Sequence, residues 1–329
     1  MPKVGHAKVS RKKQQLKRKQ PKEREHVQEA EDLVNAEGFV ILPEVEAITD
    51  EAEAELAAFR AAKTTIVQEV SAKLAEDLQI ETDPKVVEVY TGVGRFLSHY
   101  KSGKLPKAFL LIPSVEHWEQ LTLITNPEAW SPQASYKAAK IFISSLQPKQ
   151  AQRFLNLYLL PAVRRNIAMY KKLNVHYYKA LSAAVYKPGG WIKGILLPLC
   201  LSGDCSLREA SIIGSVIAKN SIPMPHACAA MLKLSEMEYT GAVSYFMQVF
   251  IKKRYSLPFR VLDAISNHFA RFSMEERKMP VLWHGALLAF VKTYGGELPH
   301  ANRQSLLELC KMQHHPLITP EVLSGIAKD

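Results

Sequence analysis

The chain has 329 residues, with 43 Lys and Arg against 32 Asp and Glu, and a formal net charge of +11. Hydrophobic residues make up 47 %, ample for a folded body, yet no unbroken apolar run reaches the length of a membrane span. The N-terminus is basic and polar, unlike a secretory signal, and the four cysteines form no CxxC pair, which argues against a disulfide framework or a zinc ribbon.

Charge divides the chain before any helix is drawn. Residues 1–24 hold ten Lys/Arg and one acid, a net +9, and residues 25–59 hold eleven acids and no Lys or Arg, a net −11. That leaves +13 on residues 60–329, so the basicity belongs to the body and not to the tail. Residues 1–48 read as a largely disordered tail and linker: residues 1–30 have almost nothing apolar to offset ordering entropy, and 31–48 read as a short linking segment around Gly38 and Pro43. Within it, Arg11, Lys12 and Lys13, then Lys17, Arg18 and Lys19, form two clusters suited to nuclear import or RNA contact.

Residues 49–329 are expected to form one all-α domain. The stretch from Asp50 to about Ile80 is rich in Ala, Glu and Lys, without Gly or Pro, and reads as helix. Asp83-Pro84 and Ser131-Pro132 each place a cap and a first-turn proline before an apolar-periodic run, the first to about Tyr100 and the second to about Leu146. Pro148 opens another helix, with an interruption expected near Pro161. Gly203 ends a helix, and Ser206 with Glu209 forms a capping box before Leu207–Lys219. Pro223, Pro258, Pro280 and Pro299 each precede a further helical run. Period-2 alternation is nearly absent. Short helices joined by short connectors predict a HEAT-like α-helical superhelix, although no strict repeat period is visible.

Between Glu128 and Asp204 there is no acidic residue, and eleven cations fill the gap: Lys137, Lys140, Lys149, Arg153, Arg164, Arg165, Lys171, Lys172, Lys179, Lys187 and Lys193. A surface of one sign repels itself unless a polyanion lies against it, so all of these except Lys149 are candidate RNA-binding residues. Arg164 and Lys171 are seven apart, as are Arg165 and Lys172, which predicts one helix face. Charge reversal at these four is expected to weaken RNA binding with helicity intact. The interleaved aromatics are read as core, with base stacking by Tyr177, Tyr178, Tyr186 or Trp191 as the alternative.

Enzyme signatures are weak. Gly92-Val-Gly94 lacks a third glycine, and Gly214 to Lys219 sits inside a helical pattern, so neither is a nucleotide loop. Cys205 has no recognisable partner base, His314-His315 near Cys310 lacks zinc-site spacing, and His268 and His284 lie in apolar stretches as core residues. No catalytic residue, metal or cofactor is expected.

The strings "HWEQLTLITNPEAWSPQASYKAAKIF", "LNVHYYKAL", "YKPGGWIKGILLPLCLSGDCSLREASIIGSVIAKNSIP", "MLKLSEMEYTGA", "KKRYSLPFRVLDA" and "MPVLWHGALLAFVKTY" resemble the bystin family over roughly residues 85–325. The resemblance implies a non-enzymatic, nucleolar and nuclear factor with a helical superhelix, shuttling to the cytoplasm on small-subunit precursors. It implies contact with the rRNA of the head, with ribosomal protein uS3 and with other small-subunit assembly factors, and a need for the factor in rRNA processing. The region ahead of residue 85 matches poorly and is shorter than the family's familiar extension. The mixed-charge helices of 206–313 are expected to take partner peptides, with Lys252, Lys253 and Arg254 as a tentative protein-partner surface. The competing expectation is a protein adaptor whose basic face binds acidic partners and touches no RNA.

Overall fold

The structure is a computed structural model that describes residues 84–327. The basic clusters, the acidic segment and the helix expected over 50–80 lie outside these residues.

Three helices close one end: α1 (Pro84–Ser98), α2 (Lys107–Leu111) and α3 (Trp118–Ile124). Then come α4 (Pro132–Ser145), α5, α6 (Val175–Ala184), α7, α8 (Leu207–Lys219), α9 (Met224–Glu236), α10 (Gly241–Lys252), α11 (Phe259–Ala270), α12 (Val281–Tyr294), α13 (His300–Met312) and α14 (Thr319–Ile326). α5 is continuous through Pro148–Phe154, a π turn at Leu155–Leu159, and Leu160–Tyr170; α7 likewise runs through Pro188–Trp191, a π turn at Ile192–Leu196, and Leu197–Leu201. No strand occurs among the described residues.

The helix starts follow the local chemistry. Ser131 Oγ accepts from Ala134 N at 3.1 Å with Pro132 in the first turn, and Ser206 with Glu209 closes the reciprocal box. Pro161 does not interrupt its helix as expected. A wide π turn ends two residues ahead of it, and a second one stands in the same place ahead of Pro198. A proline has no N–H to bond back and its ring crowds the carbonyl four residues earlier; one extra residue in the turn relieves both.

From α4 onward each helix except α7 packs closely on the one two places further along. α4, α6, α8, α10, α12 and α14 make a first row, and α5, α7, α9, α11 and α13 a second, antiparallel to it. This is the two-row α-superhelix. Side-chain ties link like positions of successive helix pairs: Lys253 Nζ to Asn220 O at 2.9 Å, Tyr255 Oη to Ile222 O at 2.9 Å, and His268 Nδ1 to Ser235 O at 2.9 Å. Their sequence separation is 33 residues each, and Tyr294 Oη to Tyr255 O repeats the theme at 39. The repeat is thus real in space although the sequence shows no period, because the residue types making the ties change from pair to pair.

The core is one continuous cluster along the space between the rows. Phe109, Trp118, Phe142 and Phe154 fill its first half, with Phe142 stacked on Phe154 at 4.6 Å, and Phe269, Trp283 and Phe290 fill its second.

His268 and His284 are buried in this core, as expected. Burial holds both imidazoles down to about 4, reinforced by the Arg271 charge for His268 and by His315 for His284. Both rings are therefore neutral when folded and protonate near pH 6.5 when unfolded. Between those values the unfolded chain binds more protons, so stability is full above pH 6.5 and is lost as pH falls towards 4. Each ring removes up to about 3 kcal/mol, at about 1.4 kcal/mol per unit. Urea midpoints should drop steadily from pH 7 to 4.5; a flat profile would count against buried neutral histidines.

Candidate nucleic-acid interface

Because the rows run antiparallel, the connecting turns form two edges. The near edge carries the turns leaving the first row, at residues 146–147, 185–187, 220–223, 253–258 and 295–299; the far edge carries the returns, at 171–174, 202–206, 237–240, 271–280 and 313–318. The cations of the carboxylate-free tract are distributed over both edges and both rows.

Lys137 and Lys140 stand exposed on α4, while Ala134, Ala138 and Phe142 of the same helix are buried. Lys179 is half-buried on α6, and Lys193 is exposed on α7. Lys149 is exposed at the near edge. Lys187, half-buried beside it, donates Nζ to the carbonyl of Leu146 at the end of α4, and burial lowers its pKa. That lysine closes a helix end.

The arginines are engaged by acids from outside the tract. Arg153 pairs with Glu119 of α3, with Nη2 to Oε2 at 2.7 Å. Arg165 pairs with Glu128 at 3.1 Å. Arg164 bridges Asp204 at 2.8 Å and Glu209 at 2.9 Å, with its side chain only 22 % exposed. It is a structural tie between α5 and the start of α8.

The expected two-turn pairing of Arg164 with Lys171 and of Arg165 with Lys172 fails for a local reason. α5 ends at Tyr170, and Lys171 takes a left-handed backbone at φ 57°, so neither lysine continues the helix face. Arg164, Arg165 and Lys171 nevertheless gather around one far-edge cavity of about 870 Å³. Arg208 joins them, its Nη1 3.4 Å from Lys171 O, and Asp204 and Glu209 line the same cavity. Arg208 was not legible as part of this group, because it lies beyond the acid that bounds the tract.

Of the tentative partner surface, Lys252 and Arg254 are exposed. Lys253 is half-buried, and its Nζ donates to the carbonyls of Ile217 at 3.0 Å, Ala218 at 3.1 Å and Asn220 at 2.9 Å, closing the end of α8. Lys252 lines a groove of about 850 Å³ between α8 and α10, together with Lys219, Tyr245 and Gln248. Among the described residues Lys137, Lys140, Lys149, Lys172 and Lys193 are exposed and meet no carboxylate.

The aromatics divide cleanly. Tyr177, Tyr178 and Trp191 are buried, and only Tyr186 of the four stands out from the surface. Cys200 and Cys310 are buried thiols pushed up to about 12 and about 11, so neither carries useful thiolate at neutral pH. Among the described residues no three His, Cys, Asp or Glu side chains gather to hold a metal, and no helix is long and apolar enough to cross a membrane.

The fold and its surface define a class: a two-row α-helical superhelix carrying more exposed cations than it neutralises. The chain belongs to the Bystin family, whose family model matches residues 44–329. It is 52 % identical to Bystin of Homo sapiens over 260 residues, 79 % of this chain and 60 % of that protein. Bystin of Bos taurus matches over the same shares at 52 %, and Bystin of Arabidopsis thaliana is 49 % identical over 259 residues, 78 % of this chain and 58 % of the relative. The chain thus spans about 60 % of the length of these relatives. The family match begins about forty residues ahead of the stretch in which the sequence strings resemble the family.

Proposed function

We propose that this chain is a non-catalytic ribosome biogenesis factor that binds small-subunit precursors in the nucleolus and nucleus, and travels with them to the cytoplasm. Its contacts are the rRNA of the head, ribosomal protein uS3 and other assembly factors. In this role it supports rRNA processing and subunit maturation. Membership of the Bystin family supports the reading. The observation that carries the RNA contact is the set of exposed lysines, Lys137, Lys140, Lys149, Lys172 and Lys193, that no described carboxylate neutralises. Such groups recognise phosphate backbone and shape in preference to sequence.

Ultraviolet crosslinking in cells, with RNA sequencing and adduct mapping, is the test. Head rRNA reads with adducts on the body are expected. In vitro, Lys137→Glu, Lys140→Glu and Lys149→Glu together should lower rRNA affinity at least about tenfold and flatten the salt dependence by about two to three ion equivalents. Absence of rRNA enrichment, with capture of acidic proteins in its place, would instead favour the adaptor reading.

A further inference from the structure

The two edges of the superhelix differ in charge in a way that the linear sequence hides. At the far edge Asp204, Glu238, Glu275 and Glu276 stand among the cations. Along the near edge, residues 146–149, 185–190, 220–226 and 253–260 contain no Asp or Glu; the first acid appears in the fifth turn, at Glu297. The same four segments expose Lys149, His226, Arg254 and Arg260.

Two large aromatic side chains also stand out from this edge. Tyr186 is 78 % exposed and Phe259 is 70 % exposed, with Met224 between them in the intervening turn. The turns are in register. The His226 ring lies so close to Gly189 that a Cβ there would meet it at 3.3 Å, and Tyr255 Oη donates to Ile222 O at 2.9 Å. Two steps of helix packing separate Tyr186 from Phe259, roughly 20 Å at about 10 Å per step. Two exposed rings on one edge offer flat faces on which bases can stack.

We propose that the near edge is a stacking platform for unpaired RNA: Tyr186 and Phe259 stack on bases, and Lys149 on one side with Arg254 and Arg260 on the other hold the flanking phosphates. This deepens, and rests on, the RNA reading above. Single-stranded RNA is the ligand that combines polyanion charge with exposed flat faces. A duplex offers only the first, and an apolar protein surface only the second. The absence of Asp and Glu from these four turns favours RNA over an apolar protein partner, because hydrophobic docking alone does not require carboxylates to be kept out.

The test compares the full-length chain on an unstructured single-stranded RNA and on a duplex RNA of equal length, by fluorescence anisotropy. Tyr186→Ala and Phe259→Ala should each weaken single-strand binding about tenfold and leave duplex binding and the salt slope unchanged. Tyr186→Phe and Phe259→Trp should restore binding, and Tyr170→Ala at the far edge should have no effect. Both positions are exposed, so circular dichroism should show the fold intact. Unchanged single-strand affinity in the alanine variants, while the lysine reversals still weaken it, overturns the platform and spares the RNA reading. Equal losses on both RNAs also overturn it, since general contact and not stacking would then be lost. A wild-type chain that binds neither RNA sinks both readings together.

Discussion

Replacing Gly194 with alanine is expected to destabilise the protein by about 3 kcal/mol, the upper end of the usual overpacking range. At about 2–4 °C per kcal/mol this lowers the melting temperature by roughly 10 °C. Gly194 lies in the π turn of α7, where α7 crosses α5. A Cβ there would sit 2.7 Å from Gln152 O and 3.1 Å from Leu155 Cβ. The nearer obstacle is backbone and cannot rotate away, so the two helices must separate along a seam that includes both π turns. Gly92→Ala is the control. Gly92 is also helical, but a Cβ there meets nothing within 4 Å, so alanine should stabilise by up to about 1 kcal/mol through helix propensity. Calorimetry on the two variants should give opposite signs. A neutral Gly194→Ala would mean that α5 and α7 do not approach this closely.

The second large effect is expected at Arg164. Arg164→Leu removes the cation that joins Asp204 to the buried carboxylate of Glu209, while Glu209 Oε2 still accepts from Ser206 N at 2.9 Å. Breaking a largely buried pair leaves an uncompensated charge, and a loss of about 3 kcal/mol in urea unfolding follows. Arg165→Leu, one residue on, should cost less than about 1 kcal/mol, since its pair with Glu128 is mostly in water. Equal losses at the two sites would refute the assignment of Arg164 as a tie. The contrast also changes how RNA binding must be tested. A variant reversing Arg164, Arg165, Lys171 and Lys172 together would mix lost phosphate contact with a loosened α5–α8 junction. Any loss of stability in that variant would then have a cause unrelated to RNA.

Helix boundaries were legible wherever the signal is local. The Ser131-Pro132 start and the Ser206–Glu209 box depend on atoms within one turn, and the structure places both where the sequence does. Pro161 was misread because the constraint it imposes is local but its relief is not unique: the chain can end a helix or widen a turn. Packing of α5 against α7 accompanies the second solution. Lys171 shows the complementary limit. Seven-residue spacing places side chains on one face only while the helix lasts, and α5 ends one residue earlier.

The sequence by itself determined the helical class, the basicity of the body and the tract without carboxylates, because composition, caps and periodicity are properties of neighbours along the chain. Only the tertiary structure decided which cations remain available. Arg153, Arg164 and Arg165 find acids 34 to 45 residues away, and Lys187 and Lys253 spend their charge on carbonyls at the ends of α4 and α8. The fold likewise buried Tyr178 and Trp191 and exposed Tyr186 and Phe259 on one edge. A charge or a ring is fixed by its residue type, but its partner is set by the stacking of helices roughly 35 residues apart, and that distance is invisible to any local pattern.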